Sequence, residues 1–253
     1  MSTLINTYKN LPRMVFWINR LTNANYEEDM EVLPELCDTA KTSIDVGAKV
    51  GMYTYRLLKY SGKVIAFEPI PELFSLLTKV FANNQNARII NEALSHAPGR
   101  AKIRTPIYRM GFPKYGQATI EAENKLSFPN VQEVKEYDIK MQTLDTYRDE
   151  TIGFIKIDVE GHELSVLRGG KKLLEQQKPT VLVEIQDILV KDGIRKVTEF
   201  MANLGYEGCF LSGHKFRKVN GFSFDDYPDV KNFIFIHKSR KINLQKLQAR
   251  LKA

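Results

Sequence analysis

The stretch KTSIDVGAKVGMYT, residues 41–54, shows a pattern that the rest of the chain repeats. Its first half is a short apolar run that predicts a buried strand, and its second half begins an amphipathic segment that predicts a helix. The loop between them holds Gly47 and Gly51, and glycines at such a turn let backbone N–H groups approach a ligand closely. Asp45 places a carboxylate at the start of this loop, where it would repel a phosphate. The stretch therefore predicts a strand–loop–helix ligand site that does not bind phosphate.

Short apolar runs and amphipathic segments go on alternating after this stretch. The predicted strands are rich in Val and Ile: TSIDVG, KVIAFEP, ARIINEALS, FIKIDVEG, TVLVEIQ and NFIFIHK. The predicted helices between them are GMYTYRLLKY, PELFSLLTKVFANN, HELSVLRGGKKLLEQQ and IRKVTEFMANLG. Continuous apolar strands are typical of a parallel sheet that is buried on both faces. We therefore expect an α/β fold with a doubly wound, mostly parallel sheet, helices on both faces, and a ligand beyond the carboxyl ends of the strands.

Composition divides the chain into a main domain with flanking segments. Residues 41–237 hold the strand–helix pattern, which residues 99–147 interrupt with two further predicted strands around a long loop. Loops of that length are usually functional or disordered, and we interpret this one as a substrate-facing insertion. Residues 1–40 are amphipathic and predict an N-terminal helical cap. Residues 238–253 form a basic tail with six Lys or Arg and no acid.

The bulk composition is that of a globular protein. The chain has 253 residues, of which 43% are hydrophobic, and it has no apolar run near the ~20 residues that span a bilayer. Its two cysteines are far apart and have no zinc-site spacing, which favours free thiols in a reducing compartment. We therefore expect a soluble, cytoplasmic protein. The net charge of +7 permits a nucleic acid, an anionic lipid surface or an anionic glycan as partner, of which we consider nucleic acid the least favoured.

The basic tail has a pattern of its own. Leu244, Leu247 and Leu251 recur at helical spacing among Lys and Arg residues. This pattern predicts a basic amphipathic helix that makes peripheral contact with the anionic inner face of a membrane. The alternative is a helix that packs on its own domain or on a partner subunit.

The glycine loop and the strand after it predict the chemistry of the ligand. The spacing GxxxG matches neither the dinucleotide pattern GxGxxG nor the P-loop pattern GxxxxGK[ST]. Glu68 follows the next strand, 17 residues after Gly51, where an acid can accept both ribose hydroxyls of an adenosine. Asp45 suits an adenosine ligand with an ammonium group and a sulfonium, which is S-adenosylmethionine; alternatively, Asp45 only caps the loop. The candidate residues for this donor are Asp45, Gly47, Gly51, Glu68, and, near the adenine, Glu92 and Ala93.

The stretch FIKIDVEGHE is the densest polar cluster at any predicted strand end. Strand period two puts Lys156, Asp158 and Glu160 on one face, and three charges on a buried strand are costly unless they are paired or used. The simplest role for Lys156 is that of an internal partner for Asp158 or another acid. The cluster therefore predicts a catalytic site that includes all three residues.

Methyl transfer to a hydroxyl requires that the acceptor lose a proton, and the sequence offers two routes. His162 could accept the proton as a general base, or it could be no more than a hydrogen-bonding residue at the start of a helix. Alternatively, Asp158 and Glu184, at the ends of neighbouring strands, could hold Mg²⁺ and acidify the hydroxyl. The sequence leaves the choice between metal and histidine open.

Several blocks, in order and spacing, resemble the FkbM-type family of S-adenosylmethionine-dependent methyltransferases. They are IDVGAKVGMYT, VIAFEPIPELFSLL, NEALSHAPGRAKI, QTLDTY, FIKIDVEGHELSVLRGG and PTVLVEI. The resemblance implies the class I methyltransferase, Rossmann-like fold and O-methylation, commonly of sugars in glycans or of natural products. By position it implies donor binding by Asp45, Gly47 and Glu68, and it places Asp158 and Glu160 beside the transferred methyl group.

Two positions qualify the resemblance. The family does not require histidine at His162, and it usually has Asn where this chain has Lys49. A cation beside a sulfonium is unfavourable unless it points away or pairs with an acid. We expect an O-methyltransferase for a sugar hydroxyl of a glycan or glycosylated metabolite. The alternatives are a nucleic-acid methyltransferase, although the [DN]PP[YF] motif is absent, and a non-catalytic protein that binds an adenosyl ligand.

Overall fold

The computed structural model describes residues 14, 16–18, 27–108, 111–121, 124, 126, 129–186 and 189–240. The predicted amphipathic helix of the tail and most of the first 26 residues lie outside these ranges. None of the helices in the described ranges is long and apolar enough to cross a bilayer.

Strands and helices alternate along most of the described chain. The strands are β1 (Thr42–Val46), β2 (Lys63–Phe67), β3 (Ala87–Ile90), β4 (Ala93–Leu94), β5 (Gly99–Tyr108), β6 (Phe112–Pro113), β7 (Val131–Gln142), β8 (Ile152–Ile157), β9 (Thr180–Glu184), β10 (Tyr206–Ser212), β11 (Lys215–Lys218) and β12 (Asn232–His237). From residue 27 onward the α-helices are α1 (Leu33–Leu36), α2 (Met52–Leu57), α3 (Pro71–Phe81), α4 (Glu163–Arg168), α5 (Lys171–Gln177) and α6 (Gly193–Asn203).

Eight of these strands form the main sheet, in the order β11-β10-β12-β9-β8-β1-β2-β3. From β3 to β9 all neighbours are parallel, and β12, β10 and β11 extend the sheet with antiparallel pairs. Phe154 and Leu182 point to the face covered by α1, α2 and α3, whereas Ile155 and Val181 point to the face covered by α4, α5 and α6. The mostly parallel, doubly wound sheet with helices on both faces is therefore confirmed.

The structure corrects three details of the predicted elements. The segment from His162 to Gln177 forms two helices, because the backbone at Gly169 and Gly170 packs against Ser95 and Leu144 with no room for a side chain. The predicted strand ARIINEALS divides into β3 of the main sheet and β4 of a second sheet. The hairpin β10–β11 was not predicted, because its polar and aromatic residues lack the continuous apolar run of the central strands.

The insertion contains the two predicted strands. β5 and β7 pair antiparallel along nearly their whole length, and β4 and β6 complete this second, four-stranded sheet. The described part of the loop between β5 and β7 lies against the end of β8, because the Thr119 hydroxyl donates a hydrogen bond to the Glu160 carbonyl at 2.8 Å. The insertion therefore covers the carboxyl edge of the main sheet, where the ligand is expected.

Candidate active site

The loops after β1, β2 and β8 meet at the carboxyl edge of the main sheet. β1 lies between β2 and β8, with Asp45 opposite Ala66 on one side and Lys156 on the other. The Gly47 N–H donates to the Phe67 carbonyl at 3.0 Å, and the Asp158 N–H donates to the Val46 carbonyl at 3.0 Å. The two sequence clusters, which are more than 100 residues apart, therefore form one site.

The two glycines of the first loop have different surroundings. Gly47 has φ +82°, and a Cβ added there would lie 2.0 Å from the Asp158 carbonyl oxygen, so this glycine lets the loops after β1 and β8 touch. Gly51 has φ +85° at the start of α2, and a Cβ there would meet Leu77 and Phe81 of α3 instead. Gly47 therefore shapes the site itself, Gly51 shapes the core beneath it, and the predicted donor contact of Gly51 stays a prediction.

Asp45 is almost fully buried beneath the loop. It is 1% exposed, and the Thr54 hydroxyl donates a hydrogen bond to its Oδ2 at 2.6 Å. Burial raises the pKa of Asp45 to about 6, against the opposing effects of Thr54 and the Lys156 ammonium. A second positive charge near Asp45, such as the predicted amino group of the donor, would stabilise its ionised form.

Glu68 holds two loops together at the end of β2. Its Oε2 accepts the Lys49 N–H and its Oε1 accepts the Ile70 N–H, each at 2.9 Å. The side chain is buried, and burial raises its pKa to about 7 although both N–H groups oppose this effect. A carboxylate has about four lone-pair sites, so Glu68 can still accept the ribose hydroxyls predicted for it.

Lys49 forms an ion pair with two carboxylates across the site. Its Nζ lies 2.9 Å from Asp158 Oδ2 and 3.0 Å from Glu160 Oε1. Burial acts to raise the pKa of Asp158, but Lys49 and Lys156 together hold it below its usual value. Burial prevails at Glu160, whose pKa is raised to about 7. We expected a cation at position 49 to be tolerated only if it points away or pairs with an acid, and Lys49 pairs with two acids.

Lys156 is buried beneath the same carboxylates. Its Nζ lies 4.0 Å from Glu184 Oε2 and 4.9 Å from the centre of the Tyr53 ring. Burial raises the pKa of Glu184 to about 7, and the negative charge of Asp158 adds to this effect. Lys156 is thus the internal partner that the sequence predicted, with Glu184 as its nearest acid.

The predicted Mg²⁺ ligands are brought together, but their surroundings do not suit a metal. Asp158 and Glu184 each face a lysine ammonium group, which would repel a divalent cation. Within the described ranges no three His, Cys, Asp or Glu side chains converge as a metal site would require. The side chains present therefore do not fit Mg²⁺.

His162 is held at both ring nitrogens. Nδ1 contacts a carboxylate oxygen of Glu121, and Nε2 lies 2.9 Å from Ser95 Oγ. The hydrogen bond with His162 lowers the pKa of Glu121. With Glu121 ionised, Nδ1 carries a proton and Nε2 accepts from the Ser95 hydroxyl. His162 can act as a base only if the Ser95 contact breaks, so its catalytic role stays a prediction.

Sequence reasoning missed Glu121 and Ser95. They lie 41 and 67 residues from His162, on the insertion and after β4. No local spacing links these positions, because the insertion must fold back over the sheet before they meet.

Two hollows lie side by side over the site. One is a narrow cleft of about 40 Å³, with Glu68, Glu92 and Ala93 on one side. Its other walls are formed by His162 and by three residues of the insertion: Tyr115, Ala118 and Ile120. The cleft has room for about three waters. A larger cavity of about 460 Å³ has a mixed lining. Its charged and hydroxyl side chains include Glu27, Asp45, Tyr53, Lys156 and Asp158, and its apolar side chains include Met30, Val50, Met52 and Leu73. Gly47, Lys49, Tyr115 and Asp158 line both hollows.

Known proteins match this chain at the level of a family and a fold. "Methyltransferase 1" of Beauveria bassiana (strain ARSEF 2860) is 28% identical over 145 residues, and "Methyltransferase sdnD" of Sordaria araneosa is 27% identical over 155 residues. Each alignment covers 50% of this chain, and 57% and 59% of those proteins, so the chain spans little more than half their length.

A solved structure and a family profile agree with these relatives. The crystal structure of methyltransferase FkbM from Methylobacillus flagellatus KT superposes with a TM-score of 0.53 at 14% identity, over 79% of this chain and 44% of that chain, and this likeness shows the fold. The profile of the methyltransferase FkbM domain matches residues 45–207, which is more than half of the chain. The chain therefore belongs to the FkbM family of S-adenosylmethionine-dependent methyltransferases.

Proposed function

We propose that this protein transfers the methyl group of S-adenosylmethionine to a hydroxyl oxygen of a saccharide. One observation carries the proposal: Asp158, an acid with a lowered pKa, lies where the narrow cleft meets the larger cavity. The transferred methyl sits on the sulfonium between the adenosyl and amino-acid parts of the donor. A carboxylate at that junction can therefore reach the acceptor oxygen.

The donor would lie across both hollows. Glu68 would accept the ribose hydroxyls, Glu92 and Ala93 would line the adenine end, and Asp45 would face the amino group. The cleft at the adenine end has room for about three waters, so adenosine fits only if the insertion moves away from Glu68. Donor binding and displacement of the insertion are therefore expected to occur together.

The acceptor would occupy the larger cavity. Its volume, about 460 Å³, lies within the range of small-molecule sites, and carboxylates and a phenol line it together with apolar side chains. The carboxylates and the phenol can form hydrogen bonds with sugar hydroxyls, which supports a saccharide as acceptor.

The chain's own residues would position the reactants and take up the proton. S-adenosylmethionine supplies an electrophilic methyl carbon, and the acceptor oxygen attacks it as the carbon–sulfur bond breaks, with the electron pair left on sulfur. The hydroxyl becomes strongly acidic as the new oxygen–carbon bond forms, so Asp158 can accept its proton despite a low pKa. Lys49 and Lys156 keep Asp158 ionised until then.

Calorimetry followed by product analysis tests the proposal. The purified chain is titrated with S-adenosylmethionine, S-adenosylhomocysteine and NADH, and is then incubated with labelled donor and a panel of saccharides or bulk RNA. We expect the two adenosyl compounds alone to bind, and label to enter a saccharide as a base-stable methyl ether. Label in RNA, or donor binding without transfer to any saccharide of a broad glycan panel, would reject the saccharide proposal.

A further inference from the structure

Two carboxylates at the end of β8 are directed at a single point, and Lys49 Nζ occupies it. The side chains of Asp158 and Glu160 are 12% and 8% exposed, and each lies within 3.0 Å of this ammonium group. Two largely buried carboxylates would repel each other strongly without a cation between them. A positive charge at this point therefore stabilises the two carboxylates in their ionised form in the folded protein.

The backbone around this ion pair adopts unusual conformations. Lys49 has φ +52° and Glu160 has φ +53°, a left-handed region in which residues other than Gly, Asn and Asp are uncommon. Such conformations store backbone strain. The two neighbouring loops therefore adopt strained backbone conformations, and these conformations bring the Lys49 and Glu160 side chains together.

A divalent metal could in principle satisfy the same carboxylates. Mg²⁺ prefers six oxygen ligands at about 2.0–2.1 Å, including waters, and two converging carboxylates are a common protein contribution. The Lys49 ammonium already donates hydrogen bonds to both, and Lys156 adds a second positive charge beside Glu184. A metal would have to displace Lys49 and remain close to Lys156.

We propose that Lys49 is the resident cation of the acceptor site, in the place where a divalent metal would otherwise bind between Asp158 and Glu160. Lys49 is a positioning residue in this role, because it fixes the two carboxylates rather than reacting. The site is consequently independent of metal ions. The inference rests on the proposed function only where it calls this the acceptor site. The role of Lys49 as the resident cation can be measured without donor or acceptor.

Binding of Mn²⁺, followed by electron paramagnetic resonance, tests this role directly. Mn²⁺ is titrated into the wild-type chain and into the variants Lys49→Asn, Lys49→Arg and Lys59→Asn. Asn is chosen because it tolerates a left-handed backbone. Lys59→Asn is the matched control, since Lys59 is an exposed lysine over the Tyr55 ring.

We expect only weak, non-specific Mn²⁺ binding to the wild type, Lys49→Arg and Lys59→Asn. Lys49→Asn is expected to bind Mn²⁺ at least about tenfold more tightly, which is roughly 1.4 kcal/mol, because its carboxylates lose their cation. Adding Asp158→Asn to that variant should remove the gain. Lys49→Gln, which has no charge either, replaces Lys49→Asn if thermal melting shows that the latter is unfolded.

Two results would overturn the inference. One is tight Mn²⁺ binding by the wild type that Asp158→Asn abolishes, and the other is a folded, neutral Lys49 variant that binds Mn²⁺ no better than the wild type. Neither depends on methyl transfer, so a failure of the saccharide proposal leaves this measurement intact.

Discussion

The loops after β1 and β8 leave neighbouring parallel strands at the same edge of the sheet, but different forces hold them. Gly47 in the first loop is required because a Cβ at this position would lie 2.0 Å from the Asp158 carbonyl oxygen, which is a steric condition. Asp158 and Glu160 in the second are held by the Lys49 ammonium, which is an electrostatic condition. The difference indicates that loss of the close packing at Gly47 will act on folding, and that loss of the charge pairing between Lys49 and the second loop will act on protonation and turnover.

The largest expected effect is on turnover, from Asp158→Asn in the second loop. We expect kcat to fall roughly 1,000-fold, because an amide cannot accept the acceptor proton. Donor affinity should stay within a few-fold, since the change leaves the Gly47 contact with the backbone in place. Single-turnover kinetics and calorimetry measure the two quantities separately, and activity close to wild type would move the chemistry to another residue.

Gly47→Ala tests the steric condition. We expect the free energy of unfolding to fall by about 3 kcal/mol, because the new Cβ would lie 2.0 Å from the Asp158 carbonyl oxygen. Gly221→Ala is a matched control, with φ +81° but no atom within 4 Å of the added Cβ, and should cost only about 1 kcal/mol. Urea unfolding compares them, and equal losses would mean that backbone conformation alone requires Gly47.

Glu68→Ala tests the connection between the first loop and the end of β2, which Glu68 holds through two backbone hydrogen bonds. We expect donor affinity to fall by about 10- to 100-fold, because the ribose hydroxyls lose their acceptor and the Lys49 and Ile70 N–H groups lose theirs. Glu72→Ala is the control, as Glu72 pairs with Lys135 on the surface nearby. Calorimetry with S-adenosylhomocysteine measures this, and unchanged affinity for Glu68→Ala would refute the ribose contact.

The smallest expected effect is a pH dependence of stability from Glu163, just after the second loop. Burial raises its pKa to about 7, against hydrogen bonds that include one from the Gly161 N–H to Oε1 at 2.9 Å. Since the folded pKa exceeds the unfolded one of about 4.5, the stability that this group contributes is complete below pH 4.5 and is lost as pH rises through about 7.

Glu163→Gln should remove this loss, because the amide oxygen can still accept the Gly161 N–H. We expect the variant to melt a few degrees higher than the wild type at pH 8, with little difference at pH 4.5. Glu133→Gln, on the exposed face of β7, should change neither value. Thermal unfolding at both pH values checks this, and a variant that melts lower at pH 8 would show that the charge itself is stabilising.

Local patterns account for the central strands and for the grouping of the candidate residues. β1 and β8 are buried along their whole length and β9 along its first four residues, and their Val and Ile side chains are typical of strands that are buried on both faces. The expected position of the site followed from the same reasoning, since polar residues at the carboxyl ends of parallel strands meet at one edge. Asp45, Glu68 and Asp158 could therefore be selected before any distances were known.

Local patterns could not supply the contacts between distant side chains. Whether Lys49 points away from the site or pairs with an acid depends on the left-handed backbone at Lys49 and Glu160. Nothing in the neighbouring residues of the sequence specifies those conformations. The Glu121–His162–Ser95 chain required an insertion to fold over the sheet. Periodicity in a sequence records which residues avoid water, so it was sufficient to predict the fold class and to select the candidate donor residues. The balance of charges around Asp158 depends on distances of a few ångströms across the fold, and only the folded arrangement sets those.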